Sequence, residues 1–281
     1  MRAVRAEQFS GYGGLKLVDV AKPAVTDGKV LVRITAAGVT PLDYTILSGN
    51  FHGMKAPLVL GNEGAGVVEE GGGADFPAGS RVMFFGAYGA FEDGTYREWV
   101  AVRKEDLCLI PENVNDVSAA GIPVAYLTAQ VALTRAGFRA GKTVFAPAIG
   151  GSVGNAVTQL ARALGAKHAM SSTTNHAKAE QAKALGALAF EGSLTTLGYS
   201  ASRQTSFDVT QLIVPQASIR GLNMFVQPKA AVSEAWTAIV SLLRSGAIKP
   251  IVAKSFPLPD AAEALRYLVE GRPFGRVILT I

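Results

Sequence analysis

The sequence predicts an α/β fold in which a doubly wound parallel sheet interrupts a β-rich domain built from both ends of the chain. Three observations predict it. Residues 1 to about 110 show strand alternation punctuated by glycine and proline turns. From residue 116 helical periodicity alternates with short apolar strands, and a glycine cluster stands between one strand and the next helix. The last ~30 residues return to the first style. The expected domains are residues 1–115 together with 247–281, and residues 116–246.

Taken in order, residues 29–34, 66–70, 81–85 and 96–102 read as strands, being dense in β-branched and aromatic side chains. Gly71-Gly72-Gly73 and Pro77-Ala78-Gly79 read as turns. Residues 117–136 read as helix, interrupted near Gly121-Ile122-Pro123, where proline lacks the N–H that would continue it. Residues 142–146 are a short apolar strand. Residues 152–164 follow as a helix, with Val153, Val157, Leu160 and Leu164 at helical spacing. Residues 167–170 form a second strand and 177–185 a second helix. Strand, glycine turn, helix and strand make a βαβ unit, which implies a parallel sheet. Residues 218–225 read as its last strand. Residues 251–256, 260–270 and 276–281 then read as strand, helix and strand.

Composition removes several classes of function. With 49% apolar and 17% charged residues the chain buries a core and is not disordered. The net charge of +5 comes from scattered lysines and arginines with no aromatic interleaving, so nucleic acid is not an expected partner. An anionic cofactor accounts for the mild bias. The single cysteine, Cys108, excludes an internal disulfide and fits a reducing compartment. The first residues lack the apolar core of a signal peptide. The longest apolar stretch, 119–133, is broken by Gly121 and Pro123 and falls short of the ~20 residues a membrane span needs. A cytoplasmic protein with no membrane partner is expected.

The glycine cluster is the strongest chemical signal. Ala148, Gly151 and Gly154 form an A-x-x-G-x-x-G pattern between strand and helix, with Gly150, Ser152 and Val153 inside it. Side chains must vanish where a backbone turns tightly and approaches a pyrophosphate. The following helix points its first N–H groups and its positive end at the phosphates. An acid accepting from a ribose 2′-hydroxyl belongs about 20 residues on. Here residues 170–175 read Met-Ser-Ser-Thr-Thr-Asn, with no acid before Glu180. Ser171, Thr173 and Lys178 suit a 2′-phosphate, so NADPH is expected over NADH, although the hydroxyls also suit a helix cap.

At this point the chain resembles the medium-chain dehydrogenase/reductase superfamily, in its zinc-independent quinone-oxidoreductase branch. The carrying segments are residues 36–43 (Ala-Ala-Gly-Val-Thr-Pro-Leu-Asp), 60–66 (Leu-Gly-Asn-Glu-Gly-Ala-Gly), 94–100, 122–129, the glycine loop and 275–279. The resemblance implies a Rossmann domain plus a split, GroES-like barrel domain. Zinc members hold metal with Cys and His; here Thr40 and Asn62 stand at those positions. The remaining Cys108, His52, His168 and His176 are far apart in sequence, so no metal is expected. His168 is expected to pack within its strand. By resemblance the substrate side is the 40–45 loop, with Thr40, Asp43 and Tyr44 as catalytic candidates. Tyr44 is the expected donor to a carbonyl oxygen, and Asp43 either caps a helix or lines a polar pocket. Tyr88 and Tyr126 are expected in the core. The resemblance also implies cofactor contacts at Thr128, Gly198, Tyr199, Phe225, Gly275 and Arg276.

One departure matters more than any substitution. A strand–helix–strand–helix step of the family, roughly 40 residues on the scale of a βαβ unit, is missing between Phe190 and Ser193. The parallel sheet is therefore expected to be shortened on its nicotinamide side. The leading function is reduction of a quinone by NADPH. Reduction of an alkenal or other enone is the second reading, and non-catalytic NADPH binding the third. A homodimer through the edge strand of the parallel sheet is expected.

Overall fold

Among the described residues Lys29–Val39 is the longest strand, and most of its residues are buried, so both of its faces are covered. The computed structural model describes residues 1–26, 28–51, 53–171, 193–196 and 209–281. They form two units, Met1–Val124 with Pro250–Ile281, and Ala125–Lys249. In chain order unit 1 begins with β1 (Arg2–Ala6), β2 (Leu15–Asp19), β3 (Lys29–Val39), α1 (Pro41–Leu47), β4 (Leu58–Val59) and β5 (Glu63–Glu70). β6 (Arg81–Phe85), β7 (Trp99–Arg103), β8 (Leu107–Leu109) and α2 (Asp116–Ala120) follow. The helix α3 (Pro123–Arg135) leads into β9 (Thr143–Ala146), α4 (Ser152–Ala163), β10 (His168–Ser171), β11 (Ser193–Thr196) and β12 (Ser218–Gly221). A helix at Lys229–Arg244 closes unit 2. Unit 1 resumes with β13 (Val252–Pro257), a helix at Ala261–Val269, and β14 (Arg276–Thr280).

The split of unit 1 is repaired by strand pairing. β14 lies antiparallel to β3, with Val277 beside Val39 and Thr280 beside Ala36. This joins β13 and β14 to a seven-stranded sheet ordered β13-β14-β3-β5-β6-β8, with β7 also on β3. A three-stranded sheet β2-β1-β4 stands apart. Alternation supplies two apolar clusters. Val4, Val39, Leu47, Val59, Leu265 and Leu279 pack in one, and Val30, Val32, Ile34, Val68, Val82 and Phe84 in the other. Tyr88 belongs to the second, its hydroxyl donating to Asp106 at 2.7 Å. Tyr126 is also buried.

The boundary between the units falls at Val124 rather than at residue 115. The reason is local to α2: Asn115 caps it by accepting from Ser118 N–H at 2.8 Å, and Asp116 accepts from Thr35 and Arg81 of unit 1. Glycine and proline at 121–123 break the helical stretch where expected. In unit 2, β9 and β10 are parallel with α4 between them, the βαβ unit read from the sequence. β11 and β12 form a second parallel pair, Ser193 beside Ser218. The expected strand at 218–225 ends at Gly221 and gives way to a 3-10 turn at Met224–Val226, where Asn223 Oδ1 accepts from Phe225 N–H. His168 lies on β10 with its side chain exposed, not packed. Expectations for residues 177–185 fall outside the described residues. Among the described residues no helix is long and apolar enough to cross a membrane.

Candidate functional site

The glycine loop begins where β9 ends and closes at α4. Residues Ala156, Val157, Leu160 and Ala161 bury one face of α4, which holds its N-terminus over the ends of β9 and β10. Gly151 is the N-cap, in extended conformation, with no side chain to cap the first turn. The first N–H groups of a helix have no intrahelical acceptor, and they and the helix dipole attract an anion. Ala148 takes φ +62°, the left-handed region, at the first position of the A-x-x-G-x-x-G pattern. Its carbonyl accepts from Gly151 N–H at 2.8 Å. A β-carbon at Gly154 would collide with the carbonyl oxygens of Pro147 and Ala148. Loop and helix therefore meet backbone to backbone, a cradle that fits the pyrophosphate of a dinucleotide.

The adenosine end is legible only in part. Ser171 closes β10, and its hydroxyl donates to Ala146 carbonyl at 2.6 Å. That uses the hydroxyl's only proton, so the hydroxyl joins the two strands and does not donate to a 2′-phosphate in this conformation. Thr173, Lys178, Gly198 and Tyr199 lie outside the described residues. Thr128 is buried on α3, and Phe225 is half-buried in its 3-10 turn.

Around α1, Asp43 takes the part of a helix cap. Thr40 and Asp43 form a reciprocal capping box at the start of the helix. Asp43, 1% exposed, accepts four hydrogen bonds. They come from Thr40 N–H at 2.7 Å and Thr40 Oγ1 at 2.9 Å, and from Gly61 N–H and Tyr96 OH at 3.1 Å each. Burial pushes the carboxyl above its ordinary range, against these hydrogen bonds. Asp43 and Thr40 thus hold each other and the 61 and 96 segments. Tyr44, the next residue, turns toward another neighbour: its ring lies 5.0 Å from that of Tyr12. The Tyr12 hydroxyl is pushed up to about 12 by burial and by the charge of Glu270.

Next to Gly61 come Asn62 and Glu63. Asn62 is 3% exposed, and its Oδ1 has no hydrogen-bond partner. Glu63 is fully buried and pairs with Arg276 of β14. By resemblance Arg276 is a cofactor contact; in the structure its side chain is 4% exposed and lies against Glu63. Burial lowers the guanidinium to about 10, with the Asp43 charge opposing. Gly275, with φ +111°, places its α-carbon where a side chain would meet the carbonyl of Ile251. The importance of Glu63 escaped sequence reading, although Gly-Asn-Glu-Gly was on view; nothing local reveals a partner on the last strand. Among the described residues, no group of three or more His, Cys, Asp or Glu could hold a metal ion.

A β-rich unit and a parallel-sheet unit with a dinucleotide-type phosphate loop in one chain are features found together among nicotinamide-dependent oxidoreductases. Residues 26–112 match the family described as alcohol dehydrogenase GroES-like domain, and residues 156–279 the family described as zinc-binding dehydrogenase. The chain belongs to the medium-chain dehydrogenase/reductase superfamily. It is 28% identical to an NADPH-dependent alkenal/one oxidoreductase of Arabidopsis thaliana, over 99% of this chain and 80% of that one. It is 27% identical to human quinone oxidoreductase, over 100% and 98%. The latter alignment runs over 329 positions against 281 residues here, so the human protein carries residues this chain lacks. The quinone oxidoreductase of Thermus thermophilus, solved also with NADPH, superposes with a TM-score of 0.84 at 26% identity, over 100% of both chains.

Proposed function

We propose that the protein reduces a quinone with NADPH and without a metal. The observation that carries this reading is the pairing of a formed phosphate cradle at 148–154 with Thr40 and Asn62 at the positions where zinc relatives have ligands. Bound NADPH supplies the hydride. Without a Lewis acid the acceptor must itself spread the developing negative charge, which conjugated quinones and enones do. The chain's own part is to bind the pyrophosphate on Gly151 and the first turn of α4, to exclude water, and to orient the acceptor. Tyr44 and Asn62 are the substrate-side groups whose polar atoms are not tied into the Thr40–Asp43 cap, and we assign them that orientation. The enone reading stands second, favoured by similarity to the Arabidopsis enzyme. A cytoplasmic location, in keeping with the lone Cys108, belongs to this reading.

The test is NADPH oxidation with a simple quinone and, separately, with an alkenal, each with and without a chelator. Turnover of the quinone that ignores the chelator is expected. Loss of activity with chelator and recovery with zinc would overturn the metal-free assignment. Binding without turnover of either acceptor would leave the non-catalytic reading, for which the missing step after Phe190 speaks. In that case 2′-phospho-AMP should bind nearly as well as NADPH.

Lys178 is assigned to the 2′-phosphate. Lys178→Ala should weaken NADPH more than NADH by about 1.5–3 kcal/mol, the worth of a hydrogen bond to a charged group. Equal losses in titrations with the two cofactors would remove the assignment.

We also propose a homodimer through β12. Ile219 on that strand is 37% exposed, and before it Ile213, at the end of a short helix at Thr210–Ile213, and Val214, just past that helix, are 69% and 78% exposed. Pairing the strand with its twofold mate would cover such an edge in both copies. Light scattering at micromolar protein should give a dimer mass; a monomer at moderate salt would count against it.

A further inference from the structure

Tyr88 carries a hydroxyl that packing alone does not call for. Its ring is fully buried in the second apolar cluster, edge-on to Phe84 with ring centres 5.7 Å apart, and phenylalanine would fill that place as well. A buried hydroxyl costs stability unless it is bonded, and this one is bonded twice. It donates to Asp106 Oδ2 at 2.7 Å and accepts from the N–H of Arg103 at 2.9 Å. Burial and the Asp106 charge push it far above the ordinary tyrosine value, so it keeps the proton it donates.

The tyrosine stands in the stretch after β6 that wraps the backbone of Leu60, Gly61 and Asn62. Gly86 N–H donates to the Asn62 carbonyl at 3.2 Å, Thr95 N–H to that of Gly61 and Tyr96 N–H to that of Leu60, both at 3.0 Å. A β-carbon at Gly89, φ +68°, or at Gly94 would collide with the Gly61 backbone, so the two segments meet without side chains between them. Gly86 is the link to Tyr88. A β-carbon there would strike the Tyr88 ring and lie 2.9 Å from Asp106 Oδ2. Arg103 and Lys29 also hold the wrapping stretch, pairing with Glu92 at 2.6 and 3.0 Å, but these pairs are partly exposed and each contributes little. The buried hydroxyl is the stronger tie. Asn62 needs one, because its Oδ1 has no hydrogen-bond partner and only backbone and packing aim that oxygen.

We propose that Tyr88 is a positioning residue whose hydroxyl, through Gly86, fixes the main chain of Asn62 and so the direction of its amide. Tyr88 is sealed in the core and touches no substrate. The catalytic consequence rests on the assignment of Asn62 to the acceptor; the backbone consequence does not. Misplacing a group that orients the acceptor is expensive in rate.

The experiment compares the natural protein with Tyr88→Phe, Asp106→Ala, Asp106→Asn and Asn62→Ala, and with Tyr88→Phe/Asn62→Ala. In Tyr88→Phe, hydrogen exchange at the Gly86 amide should accelerate by about tenfold or more, while the ladder from Ala65–Met83 to Val67–Arg81 keeps its rates. Asp106→Ala leaves the tyrosine whole and removes only its acceptor, so it should repeat that result. Asp106→Asn keeps an acceptor and should exchange as the natural protein does. For a quinone, kcat/KM should fall by about tenfold in Tyr88→Phe and in Asn62→Ala, and no further in the double variant. Unchanged exchange at Gly86 would overturn the proposal, as would equal acceleration along the whole ladder. A loss of about a hundredfold in the double variant would also overturn it, because Tyr88 would then act independently of Asn62. If the natural protein reduces neither a quinone nor an enone, the functional reading fails, and exchange at Gly86 still decides whether Tyr88 holds Asn62.

Discussion

Replacing Asp43 by alanine should destabilise the protein by about 4 kcal/mol, the sum of a lost helix cap and several buried donors left without an acceptor. The N–H groups of Thr40 and Gly61 and the hydroxyl of Tyr96 all point at this one carboxyl. Relief from burying the carboxylate offsets only part of that loss. The pH dependence separates Asp43 from other carboxylates. Its value is raised by burial, so the folded protein holds the proton more tightly than the unfolded chain does. That contribution is fully present below the ordinary value of 3.8 and is lost as pH rises through the folded value. The advantage of the natural protein over Asp43→Asn should therefore narrow as pH rises above 3.8. Glu69 is lowered by its hydrogen bond from Lys22, and Glu98 by the backbone N–H of Arg2. Both titrate alike in the two proteins and cancel from the difference. Urea denaturation across a pH series measures it. An advantage that widens with pH would mean that the four hydrogen bonds outweigh burial.

Gly154→Ala should weaken NADPH by about 30-fold or more, equivalent to about 2 kcal/mol. The added carbon would land on the carbonyl oxygens of Pro147 and Ala148, and neither is a flexible side chain that could move aside. Either the loop lifts or α4 slides along the sheet, and both displace the N–H groups assigned to the phosphates. The free protein should lose stability as well. Gly151→Ala makes the contrast. Its φ is −80°, and the new carbon would meet Ala148 carbonyl at 3.3 Å, so the free protein should change little. Its affinity should still fall, because the carbon occupies the approach of the pyrophosphate. Calorimetric titration with thermal unfolding of both variants checks the pair of outcomes. Undiminished affinity in Gly151→Ala would mean that the phosphates do not sit on this turn.

The β-strand at 81–85, the break at 121–123 and the βαβ unit around Gly151 were legible because they rest on local patterns. Alternation, a proline without an N–H and glycines before a helix act over a few neighbouring residues. The exposed side chain of His168 and the early end of β12 at Gly221 were not legible. Short strands do not say which face or which residue a neighbour will cover. The same limit applies to the site. A capping box can be read three residues apart, so Asp43 could be named as a cap or a pocket residue from the sequence.

By itself, then, the sequence determined an α/β oxidoreductase fold with a phosphate-binding loop, and by resemblance it set Thr40 and Asn62 where zinc relatives have ligands. Only the tertiary structure decided what the polar groups are committed to. Asp43 reaches partners 18 and 53 residues away, the Ser171 hydroxyl closes on Ala146, and Arg276 finds Glu63 across the sheet. The physical reason is range. Backbone preference and hydrophobic periodicity are set by near neighbours, whereas a buried charge must be satisfied by whatever groups the whole fold brings within hydrogen-bonding distance.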